Sequence, residues 1–264
     1  MEEPVLVERT KGVHRFTLNR PDKINALNDE VFAALGAALD ATEADETCRA
    51  ILLMGAGRGF CSGADLTGNT EFTDDFGAAL ERSYNPLVRR LRSLPLPIVC
   101  AVHGVAAGAG LNLALACDIV VAGRTAKLSQ AFVRIGLVPD AGGTWFLPRL
   151  VGDARARGLG MLGEPIAGEQ AAEWGLIWAA VEDGQEAAEG ERLARQLAEL
   201  PTQAIAMMKR AFLAAPAATL DAQLDLERDL QRTAGRTPDF REGVAAFREK
   251  RPARFTGRPR ESGS

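Results

Sequence analysis

Two apolar runs that each lead into a glycine-rich turn constrain the fold of this chain most. Residues Ala50 to Met54 are continuously apolar and run into Gly55 to Gly59, while Pro97 to Val102 are followed by the turn Gly104 to Gly110. A short apolar run bounded by turn signals is typical of a buried strand. Because helix-like segments separate such runs, the sequence predicts an α/β architecture.

The neighbouring segments extend this pattern. Val5 to Glu8 and Val13 to Leu18 predict a hairpin around Lys11 and Gly12, and Asn28 is a candidate N-cap for the helix that follows. The other predicted elements are helices over Phe76 to Leu94 and Leu111 to Ala116 and a strand over Asp118 to Ala122. From Ala141 onward the pattern is almost entirely helical, with breaks at Gly152, Gly163 to Pro165 and Pro201.

Charge and cysteine usage exclude several classes of protein. With 31 Lys and Arg against 35 Asp and Glu, the net charge of −4 lacks the basic footprint of a nucleic-acid-binding protein. Four cysteines without a C-x-x-C pair, beside only two histidines, predict reduced, buried thiols and no metal site. The acidic start is not that of a signal peptide, and no run approaches the roughly 20 apolar residues of a membrane span. We therefore expect a soluble, cytoplasmic protein that does not bind membranes.

The two glycine-rich turns leave two interpretations open. Glycine lets backbone N–H groups turn toward a ligand, and two such groups from separate turns would make an oxyanion hole. The same residues also serve in ordinary tight turns. Neither turn is a Walker loop or a dinucleotide-binding fingerprint, since the required spacing is missing.

Asp140 is the most interesting carboxylate in the sequence. It lies between an apolar run and the pair Gly142 and Gly143, where burial could raise its pKa toward that of a useful base. An N-cap for the helix that starts near Ala141 is an equally good interpretation. We expect a turn-capping role for Asp118, a packed or hydrogen-bonded His103, and a structural loop around Cys61 and Ser62.

Taken together, these segments resemble the enoyl-CoA hydratase/isomerase (crotonase) superfamily along nearly the whole chain. The residues that carry the resemblance are Asn19-Arg20-Pro21 with Asn25-Ala26-Leu27, Gly59 to Leu66, Gly104 to Gly110, Ala116 to Ile119, Gly136 to Thr144, and Glu242-Gly243 with Phe247 to Arg251. The resemblance implies a spiral of ββα repeats over residues 1–200 and a C-terminal helical trimerisation region over 201–264. It also implies a homotrimer or a dimer of trimers, a coenzyme A thioester as substrate, and no other cofactor.

The resemblance also assigns site residues. The backbone N–H groups of Ala64 and Ala109 would hold the thioester oxygen, each contributing about 3 kcal/mol to the enolate-like transition state. The positions implied for contact with CoA are Lys23, Ala26, Ser62, Asp65 and Leu66, with Phe247 and Lys250 reaching the CoA of a neighbouring subunit. A lysine near a phosphate is physically sensible even on an acidic protein.

Two departures from the family pattern decide the predicted reaction. The positions of the two glutamates that activate water in family hydratases are Asn112 and Phe132 here, so efficient hydration is disfavoured. Asp140 matches the catalytic aspartate of family isomerases, where one base removes a proton from one carbon and returns it to another. We expect Phe132, Ile135 and Val138 to surround Asp140 with apolar groups, raise its pKa and exclude water.

The segments Ala131 to Asp140 and Gly142 to Gly152 are similar to the phenylacetate-pathway branch of the family. That branch isomerises a ring-epoxidised phenylacetyl-CoA to an oxepin and shifts double bonds in enoyl-CoAs. The alternatives are a slow hydratase with Asp140 as its only acid/base group and a non-catalytic RNA-binding or scaffold relative. An aspartate-nucleophile dehalogenase is set aside, because it needs a histidine base that no His near Phe132 in sequence provides.

Overall fold

The computed structural model describes residues 3–10, 12–67 and 75–257 of the chain. The strands are β1 Val5–Thr10, β2 Val13–Leu18, β3 Ala50–Gly55, β4 Ile98–Val102, β5 Val105–Ala107, β6 Ile119–Gly123, β7 Lys127–Ser129, β8 Ile166–Ala167 and β9 Ala179–Val181. The α-helices are α1 Asp29–Glu43, α2 Phe76–Ala79, α3 Asn85–Ser93, α4 Ala109–Leu115, α5 Gly143–Leu162, α6 Gly168–Glu173, α7 Glu186–Glu199, α8 Thr202–Ala214, α9 Leu220–Ala234 and α10 Pro238–Glu249. A π-helical turn, Leu80–Tyr84, joins α2 to α3, and 3₁₀ turns cover Pro21–Lys23, Ala131–Ile135 and Ala215–Ala217.

Within the described residues, six strands form the main sheet in the order β1-β2-β3-β4-β6-β9. The β1–β2 pair is antiparallel and the other four pairs are parallel. The predicted hairpin is therefore confirmed, although Lys11 itself lies outside the described residues. Every side chain of β4 is buried, as the apolar run predicted, because helices cover both faces of this part of the sheet.

A smaller sheet contains β5, β7 and β8 in that order, and two of its strands directly follow main-sheet strands in the chain, β5 after β4 and β7 after β6. Between them, β4 and β5 are separated only by His103 and Gly104, so the chain turns sharply from one sheet into the other. Gly104 has a φ of +58°, and an added Cβ would lie 2.1 Å from the Arg58 carbonyl oxygen, so only glycine fits this turn. His103 is hydrogen-bonded to the Gly57 carbonyl oxygen at 2.9 Å, as predicted.

Helices pack against both faces of the main sheet. On one face α1, α3 and α4 contribute to the larger core, and on the other face Leu193 and Ala194 of α7 pack against β2, β3, β4 and β6. The predicted cap of α1 is confirmed, since Asn28 Oδ1 accepts the Val31 N–H at 3.0 Å. All residues of α4 are buried and all four cysteines are buried free thiols, as expected.

The second half of the chain departs from its purely helical prediction at two short strands. It contains β8 and β9, which are two and three residues long and held in place by pairing with β7 and β6. Asp118 does not cap a turn, because its Oδ2 accepts the Ile98 N–H at 2.8 Å and forms an ion pair with Lys209 of α8 at 2.7 Å. The predicted break at Gly152 is confirmed as a non-helical residue inside α5.

The C-terminal helices α8, α9 and α10 form a helical region that follows the two sheets in the chain. Arg49 contacts this region and the residues beside it. Its Nε donates to Thr202 Oγ1 at 2.6 Å, and its guanidinium also donates to the Leu200 and Phe255 carbonyl oxygens. No helix in the part of the chain that the structure describes is long and apolar enough to span a bilayer. The polar sequence from Gly257 to Ser264 predicts a disordered tail, and all of this tail except Gly257 lies outside the described residues.

Candidate active site

The two glycine-rich turns predicted from the sequence meet in space. Cys61 pairs with Ala106 in a parallel bridge, since the Cys61 N–H donates to the Val105 carbonyl oxygen and the Ala107 N–H donates to that of Cys61, both at 3.0 Å. An added Cβ at Gly63 would lie 2.9 Å from the Ala107 carbonyl oxygen and 3.6 Å from Ala109 N. The Gly63–Ala64 peptide and the amino end of α4 are therefore immediate neighbours.

Both N–H groups assigned to the oxyanion hole are available. Leu27 bonds to the flanking residues of Ala64, donating to the Gly63 carbonyl oxygen at 2.7 Å and accepting the Asp65 N–H at 2.9 Å. In such a parallel bridge the N–H of Ala64 itself points away from Leu27. Ala109 is the first residue of α4, where N–H groups have no partner within the helix. Among the described residues neither N–H has a hydrogen-bond acceptor, so the pair can bind an oxyanion.

Asn25 shapes the loop that presents Ala64. It has a left-handed φ of +54°, which asparagine tolerates better than most residues. Its Nδ2 donates to the carbonyl oxygens of Gly59 at 2.8 Å and Phe60 at 3.1 Å, and its Oδ1 accepts the Arg20 N–H at 2.8 Å. The buried amide thus fixes the turn that leads from β3 into the Gly63–Ala64 peptide.

Asp65 stabilises the same loop from inside. The residue is only 6% exposed. Its carboxylate accepts hydrogen bonds from Arg20 Nη2 at 2.7 Å and from the N–H and hydroxyl of Thr67 at 3.0 and 2.8 Å. Burial alone would raise the pKa of Asp65, but these hydrogen bonds outweigh it and lower the pKa to about 2. Asp65 is therefore a permanently charged support of the loop.

Asp140 lies in the tight turn that precedes α5. Its Oδ1 is buried and has no hydrogen-bond partner among the described residues. Burial raises the pKa of Asp140 to about 6, opposed only by a hydrogen bond from its own backbone. The alternative role as a helix cap is wrong, since Gly142 occupies the N-cap position and Asp140 contributes only its carbonyl oxygen, which accepts the Gly143 N–H at 2.8 Å.

Asn112 and Phe132 stand on two sides of this turn. Asn112 is fully buried on α4, and its Nδ2 donates to the Asp140 carbonyl oxygen at 2.8 Å. The ring of Phe132 faces the start of α4, because an added Cβ at Gly108 would lie 3.5 Å from it. An amide and a phenyl ring thus occupy the two positions to which the resemblance assigns the glutamates of family hydratases.

The apolar surroundings expected for Asp140 are only partly present. Phe132 is buried, but within this chain Ile135 is 54% exposed and Val138 is 77% exposed. The 3₁₀ turn Ala131–Ile135 directs Phe132 inward and leaves the side chains that follow on the outer surface. The expectation for Ile135 and Val138 is therefore wrong for the isolated chain, and the raised pKa of Asp140 arises without them.

A family model described as enoyl-CoA hydratase/isomerase matches residues 8–258 of this chain, which covers the site and both sheets apart from the first half of β1. The chain belongs to the enoyl-CoA hydratase/isomerase family. The enzyme is 53% identical over 262 residues to the 1,2-epoxyphenylacetyl-CoA isomerase of Escherichia coli strain K12, an alignment that covers 98% of this chain and 100% of that protein. It is 35% identical over 254 residues to the 2,3-dehydroadipyl-CoA hydratase of the same strain, covering 96% and 99%.

Solved structures agree with this assignment. The crystal structure of an enoyl-CoA hydratase from Polaromonas sp. JS666 superposes with a TM-score of 0.89 at 33% identity, covering 95% of the enzyme and 99% of that chain. The crotonase-like α/β fold and the family resemblance predicted from the sequence are therefore confirmed. The roles of individual residues follow from the geometry above and stay predictions.

The residues predicted to contact CoA fall into two groups in the enzyme. Five lie on or beside the loop that contains Ala64: Lys23 donates to Thr67 Oγ1 at 3.1 Å, Ser62 donates to the Lys23 carbonyl oxygen at 3.1 Å, Ala26 and Asp65 are buried and Leu66 is exposed. Phe247 is 85% exposed on α10, and Lys250 ends that helix with a left-handed φ of +54°. That Phe247 and Lys250 reach a neighbouring subunit stays a prediction.

A pocket beside Ala64 adds residues that sequence reasoning missed. Phe32 and Tyr84 line it with their rings edge to face, 4.4 Å between centroids. Burial, and to a smaller extent the charge of Asp140, raise the pKa of Tyr84. Tyr84 ends the π-helical turn, a feature frequent at functional sites, but no sequence pattern predicted that turn. Arg20 and Asn25 belong to a sequence motif that was recognised. No sequence pattern pointed to Gln130, whose side chain donates to Asn112 Oδ1.

Proposed function

We propose that the chain is an acyl-CoA isomerase in which Asp140 transfers a proton between two carbons of a CoA thioester. The observation that carries the proposal is one buried carboxylate oxygen that has no partner among the described residues, in the same site as two backbone N–H groups that likewise have no acceptor there. Asp140 takes a proton from the carbon next to the thioester carbonyl or from its vinylogous position. The electron pair moves onto the carbonyl oxygen, and the N–H groups of Ala64 and Ala109 stabilise the resulting enolate.

The reverse transfer completes the isomerisation. The protonated Asp140 returns its proton to the other end of the conjugated system, so the double bond moves and no water or redox equivalent is consumed. A pKa of about 6 suits this cycle, because the group is ionised at neutral pH and still holds a proton long enough to return it. The scheme requires no cofactor beyond the CoA of the substrate.

The acyl group that we propose is a ring. Phe32 and Tyr84 make an aromatic wall beside Ala64, which suits a flat cyclic substituent. The named activity of the 53% identical relative concerns the ring epoxide of a phenylacetyl-CoA. We therefore assign this enzyme the isomerisation of such an epoxide, besides the shift of double bonds in enoyl-CoAs. Its place would be the cytoplasm, where CoA thioesters are metabolised and the four buried thiols stay reduced.

The proposed assembly is a homotrimer or a dimer of trimers. Apolar side chains remain exposed on α8, α9 and α10, among them Met208, Phe212, Leu224, Phe240 and Phe247. Such a surface on a single chain marks a site of association. Light scattering that gives the mass of three or six chains supports this assembly, and a monomeric mass overturns it.

The decisive experiment follows a 3-enoyl-CoA by mass spectrometry in heavy water. We expect conversion to the 2-enoyl isomer without the mass of an added water, and deuterium uptake in those turnovers in which the Asp140 proton exchanges with solvent before it is returned. The Asp140→Asn variant should bind the thioester and form no isomer. A product that has gained one water, or an Asp140→Asn variant that turns over normally, would overturn the assignment.

A further inference from the structure

A pair of fully buried amides, Asn112 and Gln130, lies between the two parts of the proposed site, which are the oxyanion hole and the turn that contains Asp140. Gln130 Nε2 donates to Asn112 Oδ1 at 2.8 Å, and Asn112 Nδ2 lies 3.5 Å from Gln130 Oε1. Both side chains are 0% exposed. A buried amide group that lacks a hydrogen-bond partner costs free energy, so the amide hydrogen of Asn112 that does not face Gln130 needs a further acceptor.

That acceptor belongs to the backbone of the turn Pro139–Gly143, which contains Asp140. The remaining hydrogen of Asn112 Nδ2 goes to the Asp140 carbonyl oxygen at 2.8 Å, which also accepts the Gly143 N–H at 2.8 Å. Gln130 determines the orientation of the Asn112 amide, because its donation to Oδ1 leaves Nδ2 to face Asp140. A reversed amide would put two oxygens against each other.

The turn that the amide holds is strained. Ala141 follows Asp140 directly and has a φ of +46°, a conformation that a residue with a Cβ adopts only at a cost in free energy. Such a conformation persists only where its surroundings over-determine it. The Asp140 carbonyl, fixed by two donors, is the part of the turn immediately before the strained residue.

The same helix carries both halves of the site. Ala109, whose N–H belongs to the oxyanion hole, begins α4, and Asn112 follows three residues later with its N–H donating to the Gly108 carbonyl oxygen at 3.1 Å. Gly108 in turn donates to the Ser129 carbonyl oxygen at 2.9 Å, directly before Gln130. A change in the Asn112 amide is therefore a change in how Asp140 is placed relative to the oxyanion hole.

We propose that Asn112, oriented by Gln130, is a positioning residue that holds the Asp140 turn in register with the Ala64 and Ala109 N–H groups. The inference rests on the proposed function, in which Asp140 is the base. It explains what this chain does with a position that a water-activating carboxylate would occupy: the side chain there supports the remaining base. A glutamate at residue 112 would have no N–H to donate to the Asp140 carbonyl.

The first test compares Asn112→Ala with the parent enzyme on a 3-enoyl-CoA. We expect kcat to fall roughly ten- to hundred-fold, since a displacement of about 1 Å in a catalytic group has effects of that size. KM should change less than about threefold, because the oxyanion hole and the CoA contacts are unchanged. Equal losses in kcat and in 1/KM, or a wild-type kcat, would overturn the proposal.

The pH profile separates positioning from simple loss of folded enzyme. When the turn is loosened, Asp140 gains access to water and its pKa falls from about 6 toward its ordinary value, so the acid limb of kcat/KM moves to lower pH. A variant that merely unfolds in part keeps the limb where it was. An acid limb that does not move in Asn112→Ala contradicts the proposal.

Two further variants keep the test valid if Asn112→Ala does not fold. In Gly143→Ala the new Cβ would lie 2.5 Å from Asn112 Nδ2, which displaces the amide without removing any polar group. The Gln130→Ala variant should lower kcat, while Asn112→Ala/Gln130→Ala should be no slower than Asn112→Ala, because Gln130 acts through Asn112. Additive losses in the double variant overturn this order of action.

Two controls complete the design. Thr42→Val removes another buried hydrogen bond, that to His14 at 2.9 Å, and should leave both kcat and the acid limb unchanged. Asp140→Asn is measured in parallel. If Asp140→Asn keeps its turnover, the proposed function fails; if it is inactive while Asn112→Ala and Gly143→Ala behave as wild type, only the positioning role fails.

Discussion

The Asp65 loop (Gly63–Thr67) and the Asp140 turn (Pro139–Gly143) each shield an aspartate from solvent in the same part of the molecule. The pKa values of the two aspartates nevertheless shift in opposite directions. Asp65 meets a guanidinium, a hydroxyl and an N–H, and its pKa falls to about 2. Asp140 has a buried oxygen without a partner in the described part of the chain, and its pKa rises to about 6. Burial is common to both, so the presence or absence of donors decides which carboxylate can act as a base.

The difference also assigns the two regions to different steps. Hydrogen bonds to Asp65 fix the loop that presents the Ala64 N–H and borders Lys23 and Leu66, so we expect changes there to affect binding of the thioester. In the proposed reaction the Asp140 oxygen, which has no partner among the described residues, takes the proton of the reacting carbon, so we expect changes there to affect turnover.

The same substitution at both aspartates should separate the two roles. Asp140→Asn removes the base, and we expect kcat to fall by about a thousandfold with thioester affinity nearly unchanged. Asp65→Asn keeps the base and loosens the loop, so kcat should fall no more than about tenfold while the Kd for the thioester rises. Stopped-flow turnover and calorimetric titration of an unreactive acyl-CoA measure both quantities. Equal kcat losses in the two variants would show that the division is wrong.

The oxyanion hole gives the second largest effect. Gly63 has a φ of +98°, and an added Cβ would lie 2.9 Å from the Ala107 carbonyl oxygen, so Gly63→Ala must push the Ala64 peptide away from Ala109. Loss of one donor costs about a hundredfold in kcat. Gly36→Ala is the matched control, because nothing lies within 4 Å of its added Cβ. Wild-type kcat in Gly63→Ala would remove Ala64 from the mechanism.

Much of this site could be predicted from the sequence because it is built from local signals. Glycines after apolar strands predicted the two turns, and their order along the chain resembled one family closely enough to assign Ala64, Ala109 and Asp140. A carboxylate between an apolar run and a glycine pair predicted burial, which the structure shows. The choice between base and helix cap needed the structure, because it depends on where one side-chain oxygen points.

The parts that were missed depend on contacts between distant segments. The strand β8 has two residues and exists because β7 pairs with it, so no periodicity could reveal it. Asp118 turned out to pair with Lys209, 91 residues away in sequence. Apolar residues at 135 and 138 predicted burial, but the turn that contains Phe132 directs only that ring inward. Gln130 carries no recognisable pattern and acquires its role through Asn112.

Stability should respond to the two Asp→Asn substitutions with opposite signs. The raised pKa of Asp140 means that its favourable protonated form is lost as pH rises through about 6, so Asp140→Asn should be more stable than wild type at pH 8. The lowered pKa of Asp65 gives stability above its ordinary pKa that is lost as pH falls through about 2, so Asp65→Asn should be less stable. After discounting for solvent screening, we expect about 1 kcal/mol in each direction.

Urea unfolding at a fixed protein concentration measures this difference. The advantage of Asp140→Asn should be largest at pH 8 and shrink by pH 5, where Asp140 of the wild type is itself mostly protonated. Two variants that are destabilised equally at pH 8 would mean that Asp140 has a partner in solution that the structure does not show.

The smallest expected effect concerns the affinity for the CoA thioester, and it is tested at one surface lysine. Lys23 lies beside the Asp65 loop and donates to Thr67 Oγ1 at 3.1 Å. If its ammonium binds a CoA phosphate, Lys23→Ala should raise the Kd for the thioester a few-fold at low ionic strength and less at high salt, because exposed charge pairs are screened. Turnover at saturating substrate should not change, since the lysine has no part in the proton transfer. Lys127→Ala, at an exposed lysine on β7, is the matched control and should change neither quantity. A Lys23→Ala variant with lowered kcat and unchanged Kd would contradict the assignment of the Asp65 loop to binding and the Asp140 turn to turnover.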